Sequence, residues 1–73
     1  MEFSPAKLRR LREQRGFTRT ELAFHLGMSE RAILSWELGW RTPSSPSLTL
    51  IREILRCRRE DLFDEVKAEA AVS

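Results

Sequence analysis

Residues 18–39 read TRTELAFHLGMSERAILSWELG, and the reading of this stretch decides the fold. Thr18 and Glu21 have the Ser/Thr-x-x-Glu spacing of a capping box, in which side chain and backbone at a helix start satisfy each other. Leu22, Ala23 and Leu26 then form one apolar stripe, with Glu21 and His25 outside it. Gly27 ends this first short helix. Ser29 is the natural N-cap of a second, expected from about Glu30 to Leu38, with Ile33 and Trp36 as its inner pair and Gly39 closing it. Two short helices joined by a few residues that include glycine must cross steeply, as in a helix-turn-helix. Such a crossing needs a small residue in the first helix, a turn residue tolerant of positive φ and an apolar anchor in the second helix. Ala23, Gly27 and Ile33, backed by Trp36, fill these positions.

A helix pair of this kind cannot bury its own apolar face, so the flanking sequence must supply a platform. Ser4 followed by Pro5 is a helix-start signal, because a serine cap satisfies orphan amides and proline needs none. That helix carries Leu8 and Leu11 inward and stops at Gly16, a candidate left-handed cap. Downstream, GWRTPSSPS over residues 39–47 is turn-rich. Ser45 and Pro46 repeat the cap-plus-proline signal and open a fourth helix, whose buried face is Leu48, Ile51, Ile54 and Leu55. Residues 59–67 read as a fifth helix, with Glu60 and Asp61 in its first turn and Leu62, Phe63 and Val66 as its stripe. The expectation is a single all-α, five-helix domain over residues 1–73, with a core of about 4–67 and fraying over 68–73. Leu8, Leu11, Phe17, Leu48, Ile51 and Leu55 form the platform.

Composition narrows the chemistry. A chain of 73 residues buries only about 60% of its unfolded surface, so one small core is all it can build. The single cysteine, Cys57, excludes an internal disulfide and a cysteine-rich zinc site. His25 is the lone histidine, on an outer face, and is read as solvated; Cys57 is read as a small packed hydrophobe. No metal or cofactor is expected. No apolar run is long enough for a membrane span, and MEFSPAKLRR lacks the apolar core of a secretory signal, so a cytoplasmic location is expected. Charge is uneven: residues 1–59 hold 12 Lys/Arg against 6 Asp/Glu, whereas 60–73 hold 1 against 5. Residues 7–19 alone hold 6 basic and 1 acidic residue. Nucleic acid is one candidate partner for such a field, and a solvated helix face is the plain alternative.

The second helix of the pair has a free face. Counted from its cap, Glu30, Arg31, Leu34 and Ser35 point away from Ile33 and Trp36. The N-terminal half of a recognition helix is the part that reaches base edges in the major groove. Arg31 can pair with guanine through two hydrogen bonds, Glu30 can accept from cytosine N4, Ser35 can bond either base and Leu34 can touch a thymine methyl. Thr18, Arg19, Ser29 and Arg41 are placed for phosphates, at helix starts and in the following loop.

LRRLREQRGFTRTELAFHLGMSERAILSWELGWRTP, residues 8–43, resembles the Cro/phage-repressor (lambda-repressor-like) helix-turn-helix domains. The resemblance rests on Thr18-x-x-Glu21-Leu22-Ala23-x-x-Leu26-Gly27-x-Ser29, continuing into Ile33, Trp36-Glu37-x-Gly39 and Pro43. It implies a five-helix fold and a DNA-binding regulator of transcription, expected to be a repressor and a homodimer on duplex DNA, with no small-molecule substrate. It also implies a structural ion pair between Glu37, at the end of the recognition helix, and Arg12 of the first helix. Four positions depart from the pattern. Arg19 replaces a usual glutamine, Trp40 a common basic loop residue, Arg58 a capping serine and Arg59 a commonly apolar residue. The competing reading is a protein-interaction module of the same fold, using exposed Leu34, Leu38 and Trp40. An enzyme is the weakest reading, because no acid–base pair, nucleophile constellation or phosphate loop is visible.

Overall fold

The computed structural model describes residues 2–64. Among these residues four α-helices carry the fold: α1 (Pro5–Gln14), α2 (Arg19–Leu26), α3 (Glu30–Glu37) and α4 (Ser45–Leu55). A single 3-10 turn, Arg59–Asp61, follows. Two short strands, β1 (Glu2–Phe3) and β2 (Phe63–Asp64), pair antiparallel, Phe3 opposite Phe63. α3 packs on α2 and α1, and α2 also meets α4. Leu8, Leu22, Ile33, Ile51, Leu55 and Leu62 are fully buried at the centre, so every helix contributes to one core.

The helix starts follow the local chemistry of the sequence. Ser4, Thr18 and Ser29 each accept a hydrogen bond from the backbone amide three residues on. At α2 the box is reciprocal, since the Thr18 amide donates to Glu21 Oε1 at 2.8 Å. α4 starts one residue earlier than its proline suggests: Ser44, not Ser45, is the cap and accepts from the Ser47 amide at 3.3 Å. Proline is equally comfortable one position further in, where no intrahelical N–H is required, so the sequence signal cannot distinguish the two registers.

The end of the fold corrects the five-helix, all-α expectation. No fifth α-helix forms in the described part of 59–67; residues 65–67, with Val66, lie outside the described residues. Arg58 cannot cap a helix with its side chain, and the Asp61 carboxylate instead accepts from the Arg58 amide at 2.8 Å, closing one tight turn. The chain then extends against β1. The Ser4 amide donates to the Leu62 carbonyl at 2.8 Å, and Lys7 Nζ donates to the Phe63 carbonyl at 2.7 Å. Lys7 also pairs with Asp64 at 3.3 Å. Leu62 and Phe63 are buried as the helical reading required, but the end of the tight turn delivers Leu62 and the strand β2 delivers Phe63. Arg59, an unusual cation at this position, stacks over the Phe63 ring at 4.3 Å, which turns against Phe3 edge-to-face.

Two left-handed residues give opposite expectations. Gly27 joins α2 to α3 at φ +69° with open space where a Cβ would project. Gly27→Ala should therefore cost about 1–2 kcal/mol through backbone strain alone, and Gly27→Asn less. Arg56 ends α4 at φ 54° and ψ 59° without being glycine. Its carbonyl and that of Leu55 accept from Arg15, contacts that do not involve the Arg56 side chain. Arg56→Gly should thus stabilise the fold by about 1 kcal/mol. Urea-denaturation midpoints of the three variants check both signs.

Candidate nucleic-acid interface

α3 is held at its start by Ser29 and at its end by a buried ion cluster. Glu37 has 1% side-chain exposure. Its Oε2 accepts from Arg12 Nε at 2.6 Å, and its Oε1 from Arg12 Nη2 at 3.2 Å. Arg12 Nη1 donates to the Phe17 carbonyl at 2.8 Å. These bonds tie α1, the α1–α2 turn and α3 together. A third member joins them: Arg19 Nε donates to Glu37 Oε1 at 2.9 Å. Sequence reasoning placed Arg19 on phosphate and paired only Arg12 with Glu37. The available signal was an arginine where an uncharged residue is usual, at the start of the helix that α3 packs against.

With its inner side fixed, α3 turns Glu30 and Arg31 to solvent. Among the described residues neither makes an ion pair. Leu34 is half-buried beside them. Arg19, Glu30, Arg31, Leu34 and Trp40 line one open depression of about 350 Å³. Ser29, Arg31, Ala32, Ser35, Trp40 and Arg41 line a neighbouring one, with Arg31 and Trp40 common to both. The four expected base readers therefore line the same surface as three of the four expected phosphate contacts. Thr18, the fourth, is the α2 cap adjoining Arg19. Its amide and one lone pair serve the capping box, leaving the hydroxyl proton free to donate.

Ser35 borders the second depression with little exposed surface, and its assignment as a base reader is corrected. It is only 7% exposed, and its Oγ donates to the Ala32 carbonyl at 2.7 Å. Its own carbonyl accepts from the Trp40 and Arg41 amides. The residue lies at the border between the outer and inner faces of a short helix. Counting positions from the cap put it outside, but the returning 40–41 loop covers it. Ser35 thus shapes the loop that carries Trp40 and Arg41. Trp40 is 71% exposed at the edge of the same surface, a placement the sequence left undecided between loop and interface.

The lone cysteine and histidine have ordinary surroundings. Burial, and secondarily Asp61, push the Cys57 thiol above its ordinary value, which favours the unreactive protonated form. His25 is exposed and packs edge-to-face between Phe17 and Phe24. Among the described residues no group of His, Cys, Asp or Glu could hold a metal ion, and no helix is long and apolar enough to cross a membrane.

A capped short helix, a left-handed glycine turn and a second helix that turns Glu30 and Arg31 outward define a helix-turn-helix domain. The helix-turn-helix family of Cro/C1 type matches residues 8–62, and the chain belongs to that family. Its members are DNA-binding transcription regulators and typically not enzymes. Comparison with curated proteins gives no match, and comparison with solved structures gives none either.

Proposed function

We propose that the protein is a sequence-specific regulator that reads duplex DNA through the major groove with α3 and acts as a repressor. The observation that carries this reading is the outward placement of Glu30 and Arg31, without an ion-pair partner among the described residues, on a helix whose inner side is locked by Glu37. Arg31 approaches guanine O6 and N7, Glu30 accepts from a cytosine amino group and Leu34 meets a thymine methyl. Thr18, Arg19, Ser29 and Arg41 hold the flanking phosphates, which fix register without reading sequence. Two copies on a two-fold site would place half-sites about one helical turn apart. The protein is proposed to act inside the cell, where duplex DNA is its partner.

Selection from a random duplex library, followed by titration at two salt concentrations, tests this. A recovered consensus with steep loss of affinity at higher salt is expected, because each neutralised phosphate releases condensed counterions. Ser35→Ala should leave both consensus and affinity unchanged, since its hydroxyl is spent inside the helix. Recovery of no consensus at low salt would refute the proposal.

The exposure of Trp40 and Leu38, 71% and 51%, favours a second reading in which this edge docks another protein. Trp40→Ala separates the two. Loss of duplex affinity places the indole at the DNA. Unchanged duplex affinity, with loss of a protein partner recovered alongside, places it at an interface.

A further inference from the structure

We propose that Glu37, besides closing the core, presets Arg19 as a clamp for a DNA phosphate, which makes a carboxylate hidden from solvent a positioning residue for duplex binding. The assignment rests on the DNA reading above. One carboxylate serves two guanidinium groups, and it uses them differently. Arg12 is consumed on every side, by both Glu37 oxygens and by the Phe17 carbonyl. Arg19 gives Glu37 its Nε alone, at 2.9 Å, and keeps 33% side-chain exposure. Among the described residues its Nη1 and Nη2 have no hydrogen-bond partner. Those two nitrogens form the end edge of the guanidinium, the edge whose spacing matches two oxygens of a phosphate.

Placement and charge agree with this. The three ionised groups sum to one net positive charge, and the surplus is carried by the partly exposed member. Arg19 is the first residue of α2, and the cap takes the Glu21 amide, not those of Arg19 and Thr20. An anion held by Arg19 therefore meets further donors and the positive end of the helix. Arg31 and Trp40 line the same depression, so a phosphate there lies beside the base-reading face. A free surface arginine gives up rotamer freedom when it binds, whereas Arg19 has already given it up to Glu37 on folding.

The test compares the unsubstituted protein with Arg19→Ala and Arg19→Lys on the duplex selected for the former, across a salt series. Arg19→Ala should weaken binding on the order of tenfold, equally for all sequences, and lower the salt slope by about 1. Arg19→Lys keeps the charge, but a single ammonium cannot be held by one nitrogen while presenting two others, so it should recover little. A nuclear magnetic resonance measurement on the unsubstituted protein adds a readout independent of mutant folding. The Arg19 Nε–H should exchange slowly both free and on the duplex, while that of Arg31 in the free protein exchanges quickly. Full affinity for Arg19→Lys, or an Arg19 Nε–H exchanging as fast as that of Arg31, overturns the assignment while leaving DNA binding intact. Absence of duplex binding by the unsubstituted protein overturns the DNA reading and the clamp together.

Discussion

Glu37→Ala is expected to cost about 3–5 kcal/mol, the range for removing one partner of a buried ion pair. A small single core rarely provides more than about 3–5 kcal/mol in total, so this one substitution should leave most of the protein unfolded at 25 °C. The loss is large because, among the described residues, Glu37 is the only carboxylate serving both Arg12 and Arg19 at hydrogen-bond distance. Without it, Arg12 keeps the Phe17 carbonyl and a distant Glu13 oxygen at 3.9 Å, an inadequate counterpart for a buried cation. Arg12→Ala should cost less, because Glu37 still holds Arg19, and Arg19→Ala least, because its side chain is partly solvated. Replacing Arg12 and Glu37 together by Met and Leu should cost less than Glu37→Ala alone, since no unpaired charge then stays inside. Urea unfolding followed by circular dichroism checks the order. An Arg19→Ala protein less stable than Glu37→Ala would show that the cluster has been apportioned wrongly.

Arg31→Ala carries the second large expected effect, and it falls on recognition instead of folding. Arg31 is exposed and makes no ion pair among the described residues, so truncation should change stability by no more than about 0.5 kcal/mol. A two-pronged guanine contact discriminates by roughly 1–3 kcal/mol, so the variant should lose preference at one base pair by about five- to 150-fold. Positions read by other residues should keep their preference. Arg41→Ala, on the loop, should instead weaken all duplexes alike and reduce the salt slope by about 1. Competition binding against single-base variants of the selected duplex distinguishes the two patterns. Equal, sequence-blind losses for Arg31→Ala and Arg41→Ala would remove Arg31 from the base-reading set.

The contrast between these substitutions reflects what the sequence made legible. The helix pair was readable because each of its three joints depends on one local rule: Thr18 with Glu21 as a reciprocal cap, Gly27 as a left-handed joint and Ser29 as the next cap. The core stripe was readable because Leu22, Ile33, Ile51 and Leu55 keep helical spacing. Around Leu62 and Phe63 the reading failed. Two adjacent apolar residues fit a helix, or a turn that runs into a strand, equally well, and the choice was made by Ser4, Phe3 and Lys7, about 60 residues away in sequence. Ser35 failed for a related reason. A wheel projection assigns a side to a residue, but burial at the edge of that side depends on where the 40–41 loop returns. The Arg19–Glu37 bond was signalled only by the unusual arginine, which names no partner, because long flexible side chains choose partners in three dimensions.

The central claim is that the outward side of α3 reads base edges in the major groove. Replacing single guanines of the selected duplex by 7-deazaguanine removes the N7 acceptor from that groove and leaves the minor groove and the phosphates unchanged. The account predicts that one such replacement per half-site weakens binding of the unsubstituted protein by several-fold or more and has no effect on Arg31→Ala. Affinity indifferent to every major-groove replacement, in a protein that still binds the duplex, would contradict it.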